Sequence, residues 1–157
     1  MQHGLLLEDD VQEEAQVIEA RLSEEEHAAY SDFESNGDMA LLNHRLAFVS
    51  AARIYLAREL FDSMPADLQG LVHSVFAHAV GYRQSGGKSF QLWPAFIAAV
   101  EATEPAEKAM ASEWFSVSSS VVFHCPSTDV VIAHRTIRDF QSHRCQERRP
   151  GSMASAR

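Results

Sequence analysis

Five side chains near the carboxy terminus, His124, Cys125, His134, His143 and Cys145, carry nitrogen and sulfur donors that suit zinc. A hairpin followed by a helix would bring four of them around one ion. Their spacing, His-Cys-x8-His-x8-His-x-Cys, contains no Cys-x2-Cys and matches no zinc motif. The sequence therefore favours no resident cofactor. It leaves zinc, in a metal-dependent or small-ligand-binding enzyme, as the alternative reading. Such an enzyme would use this group, or an apolar pocket of Phe90, Trp93 and Phe96. The same cysteines and histidines offer a nucleophile and a base, but no third group to orient them. No pair of carboxylates is placed for acid–base chemistry.

Three cations are candidates for holding an anion. Arg53 falls inside an apolar helical arc, where a charge that cannot be shed needs a carboxylate or several carbonyls. That residue reads either as an anion anchor in a cleft or as half of an ion pair with an amino-terminal acid. Arg83 and Lys88 flank the loop Gly86-Gly87-Lys88-Ser89, which has the last residues of a phosphate-binding loop. The glycine that motif needs five places before its Gly-Lys is here Tyr82, and a helix precedes the loop rather than a strand. His73 and His78 are five apart and cannot chelate together as an i, i+4 pair does.

The acids are the strongest pattern. Residues 1–38 hold twelve acids and one base, residues 39–132 eight and six, and residues 133–157 two and six. The net charge of −9 thus averages an acidic front, a near-neutral middle and a basic end. Acids concentrated on helices set up a directional field that can steer a basic protein into register. The sequence predicts a non-catalytic interaction module that offers Glu13, Glu14, Glu24, Glu25 and Glu26 to a basic partner. An inhibitor, an immunity protein, an adaptor and a nucleic-acid mimic all fit that description. Self-association, basic end on acidic front, is a further reading. Direct contact with nucleic acid is disfavoured by the overall charge.

The chain has 157 residues and is 46% hydrophobic, with two cysteines. That composition describes a globular domain needing neither disulfides nor metal to fold, and the cysteine count fits a reducing compartment. The longest apolar stretch, residues 39–64, is broken by His44, Arg45, Arg53, Arg58 and Glu59, so no membrane span is expected. The cytoplasm is the expected location.

Periodicity supplies the elements that would position these residues. Val11, Ala15, Ile18 and Leu22 mark one face of a helix over 8–22. Ser23 followed by three glutamates is a capping-box signature, so a second helix is expected over 24–34. Asn36-Gly37-Asp38 reads as a stop and a fresh cap. A central helix over 39–64 ends at Pro65, another covers 66–82, and a third restarts at Pro105 and runs to about Phe115. Six β-branched residues around Pro126 then predict a hairpin, 119–124 and 129–134, with a helix from Ser127 or Thr128 as its rival. The expected fold is mainly α, a single-domain bundle of five to seven helices over residues 1–149. Its parts are an acidic helical pair (1–38), a helical core (39–116), and the hairpin with a basic helix (117–149). Residues 150–157 read as a tail.

Overall fold

The structure, a computed structural model, describes residues 3–61, 63–88 and 92–122. Its order is α1 (His3–Asn36), α2 (Met39–Leu60), a 3-10 turn (Pro65–Leu68), α3 (Gln69–Gln84), α4 (Leu92–Glu101) and α5 (Pro105–Val122). No strand occurs among the described residues, and the fold is all-α. By internal contact the chain divides into two compact units, Met1–Trp114 and Phe115–Arg157. Helices α1–α4 and α5 through Trp114 belong to the first. Of the second, the described part, residues 115–122, is helical throughout.

α2 is the central element, in contact with α1, α3 and α4. Its inner positions Ala47, Ala51 and Ile54 are fully buried, as are Val72, Val75, Phe76 and Ala79 of α3 and Pro94, Ala95, Ala98 and Ala99 of α4. Small residues on α2 and α4 let the backbones approach, while Phe76 and the branched residues fill the space between. At one point the approach is closer still. A Cβ on Gly81 of α3 would stand 2.8 Å from Asn43 Oδ1 on α2.

The two ends of α3 are tied by polar side chains. Gln69 donates to the carbonyls of Pro65 (2.6 Å) and Glu101 (2.9 Å), and its own oxygen accepts from the Thr103 N–H at 3.0 Å. One amide thus satisfies backbone groups of three segments where α4 gives way to α5. At the far end, Ser85 accompanies Gly86, whose φ of +87° is the left-handed conformation that ends the helix.

Four expectations are corrected. First, 8–22 and 24–34 are one continuous helix. The Ser23 hydroxyl accepts from Arg53, and Glu26 also bonds Arg53, so neither is free to cap. With no Gly or Pro from Leu5 to Asn36, nothing else interrupts the ladder. Second, Val11 and Ile18 do not form the buried face; they are 41% and 42% exposed, while Ala15, Ala29 and partly Leu22, Glu26 and Phe33 are covered. Third, α2 stops at Leu60, four residues short of Met64, which Pro65 holds extended (φ −68°, ψ 140°) at the start of the 3-10 turn. Fourth, residues 119–122 are helical, not the first strand of a hairpin. Propagating an existing helix through Val121 and Val122 costs only tenths of a kcal/mol each. The rest of the hairpin, the basic helix and the tail lie outside the described residues.

Candidate functional site

The turn Asn36-Gly37-Asp38 sets the geometry. Gly37 adopts φ +68° and donates to the Phe33 carbonyl at 2.7 Å, closing α1 with a left-handed cap. Asp38 Oδ1 then accepts from the Leu41 N–H at 2.9 Å and opens α2. A connection this short folds α1 back antiparallel along α2. The seam between them begins apolar, with Ala29 and Phe33 against Leu42 and Leu46.

Beside and beyond that the seam is charged. Arg45 Nε donates to Glu25 Oε1 at 2.7 Å, and its Nη1 pairs with Asp32. Two turns further along α2, Arg53 Nε donates to Glu19 Oε1 (2.8 Å), Nη1 to Glu26 Oε2 (2.6 Å) and Nη2 to Ser23 Oγ (3.2 Å). Each arginine therefore grips two carboxylates seven residues apart on α1. Bonds from Glu25 and Asp32 hold the Arg45 guanidinium above its ordinary pKa. At Arg53 burial opposes the charge, and bonds from Glu26 and Glu19 outweigh it, so that pKa also rises.

A second set of contacts runs along another face. His44 packs its ring on Phe48 (5.0 Å) and Tyr82 (5.6 Å), and Phe48 stacks on Trp93 at 5.7 Å and 23°. Gly87 fits here because a Cβ would strike the Tyr82 ring at 2.3 Å. On α3, His78 Nδ1 and Asn43 Oδ1 are 3.0 Å apart, and burial pushes the imidazole pKa down.

The predicted site residues are thus dispersed. Glu13 and Glu14 are exposed and line a shallow groove with Val17, Ile18 and Arg21. Glu24 is exposed, whereas Glu25 and Glu26 are engaged by the arginines. Arg53 sits in the seam, with Arg83 and Lys88 at and beyond the end of α3. Glu19, Asp32, Ser23 and Arg45 were not foreseen. Their signal is the seven-residue spacing of acids facing an eight-residue spacing of arginines. Phe90, His124, Cys125, His134, His143 and Cys145 lie outside the described residues. Among the described residues, no three histidine, cysteine or acidic side chains are grouped to hold a metal, and no helix is long and apolar enough to cross a membrane.

A family model, the fungal specific transcription factor domain, matches residues 1–124. The chain belongs to that family. No curated protein and no solved structure matches it. Membership overturns the expectation of an inhibitor-like or adaptor-like module for a basic partner. It also overturns the expectation that direct contact with nucleic acid is disfavoured, because the family is one of transcription factors. Both expectations took the acidic front as free surface. In this fungal transcription factor domain, four of those acids face arginines of the same chain.

Proposed function

We propose that the chain acts in the regulation of transcription, as a helical domain of a transcription factor working in the nucleus. The observation that carries this reading is the family match over residues 1–124, a span that contains the five described helices. α1 and α2 form a pinned helical hairpin and α2–α4 share a core, which gives regulatory contacts a defined frame to act through.

The test has two arms. Tethering the chain to an unrelated DNA-binding domain upstream of a reporter should change transcription several-fold relative to the tether alone. Removing the gene should alter the transcript levels of a discrete set of genes. A reporter and a transcriptome that are both indifferent to the chain would overturn the reading. A gel-shift series with duplex DNA at rising salt then measures whether the chain itself contacts phosphates, since the salt slope counts them.

A further inference from the structure

α1 is held to α2 by two unlike attachments. Close to the Gly37 turn the hold is mainly apolar, with Ala29 buried and Phe33 packed beside it on Leu42 and Leu46, and Arg45 pairs there with Asp32 and further out with Glu25. Further from the turn it is polar. Arg53 takes Glu19, Ser23 and Glu26, and the carboxylate side chains remain 46% and 35% exposed. Between residues 11 and 18 the one buried side chain is Ala15, with Val11, Val17 and Ile18 all above 40% exposed. A methyl group contributes little burial, and ion pairs open to water are weak and screened by salt. Segments with few buried apolar contacts open locally before the core does.

We propose that residues 11–26 of α1 are an electrostatically held strap, which lifts from α2 as ionic strength rises while residues 29–36 stay docked. Lifting bares Arg53 and, one turn before it on the same helical face, Val49, which is now 3% exposed. The strap thus works as a cover over an apolar and cationic stretch of α2. The controlling variable is the electrostatic environment of Arg53 and Arg45, because among the described polar contacts that tie this half of α1 to α2 Arg53 makes three, to Glu19, Ser23 and Glu26, and Arg45 makes the fourth, to Glu25. The device stands apart from the reading of the chain as a transcription regulator, and its test is a measurement on the purified protein.

Amide hydrogen exchange on the full chain, at low and at high sodium chloride, reads the strap directly. Protection over 11–26 should fall about tenfold with salt, while protection over 29–36 and over α3 changes less than twofold. The triple substitution Glu19→Gln, Glu25→Gln, Glu26→Gln should give the low protection at both salts. Unchanged α3 protection in that variant shows that its fold is intact, and Arg53→Met, which leaves Arg45 on Glu25, should give a loss between the parent chain and the triple variant. Equal salt response in both halves of α1, or protection over 11–26 as high as α3 at high salt, overturns the proposal. A salt response that persists in the triple variant overturns it as well.

Discussion

Arg53 Nη1 and Glu26 Oε2 meet at 2.6 Å although 27 residues separate them in sequence. The contact needs both helices of the α1–α2 hairpin in register, so it reports the hairpin's formation as well as stabilising it. Replacing Arg53 by Met should lower stability by about 1–2 kcal/mol, the cost of removing a charged donor from half-buried acceptors. In a double-mutant cycle with Glu26→Gln the coupling should come to about 0.5–1 kcal/mol, because both carboxylates keep contact with water. Urea unfolding, with a shifted midpoint and an unchanged slope, provides the measurement.

Gly81→Ala should destabilise by about 1–3 kcal/mol, the usual cost of overpacking, since the new Cβ meets Asn43 Oδ1 at 2.8 Å. Asn43 cannot swing away without leaving the Met39 carbonyl and His78. Adding Asn43→Ala to Gly81→Ala should therefore cost less than the two single losses summed. Thermal unfolding of the four proteins checks that order.

His78 gives the fold an acid-sensitive point. Burial lowers its pKa from the usual value, and the Glu26 charge opposes the shift without reversing it. The unfolded chain therefore takes up this proton at a higher pH than the folded one. Stability from this group is complete above about pH 6.5 and declines as pH falls below it. Urea midpoints taken from about pH 7 down to about pH 5 should drop less steeply for His78→Gln than for the parent chain.

Gln69→Leu keeps the volume and removes the amide that serves Pro65, Glu101 and Thr103. Leaving those backbone groups without that partner should cost about 1–3 kcal/mol. Hydrogen exchange should rise first at Thr103 and Glu104, the residues whose N–H groups lose their acceptor.

What the sequence discloses here is mostly local. Asn36-Gly37-Asp38 is legible because a left-handed glycine and an aspartate cap are chemistry within a few residues, and Pro65 is legible for the same reason. The central position of α2 is legible too, since a helix apolar on several sides has few other places to be. Ser23-Glu24-Glu25-Glu26 misleads because its capping chemistry is equally good chemistry for an arginine 30 residues away. Val121 and Val122 mislead because β-propensity is weaker than the tendency of a formed helix to continue. The charged seam stays hidden until α1 and α2 are laid side by side. The acidic front looks like free surface for the same reason, and its meaning came from family membership rather than from charge.

The Gly37 turn has one more consequence, and it is numerical. Counting outward from it, the arginine–carboxylate contacts join residues separated by 13, 20, 27 and 34 positions. The increment is always seven, so the hairpin closes like a ratchet whose teeth are spaced two helical turns apart. Such a device counts residues rather than kinds of residue. One amino acid inserted between Glu26 and Asp32 would turn everything upstream by about 100° and disengage Glu19, Glu25 and Glu26 together. Asp32 would remain on Arg45. Natural variation in α1 should therefore tolerate exchanged side chains far better than changed length.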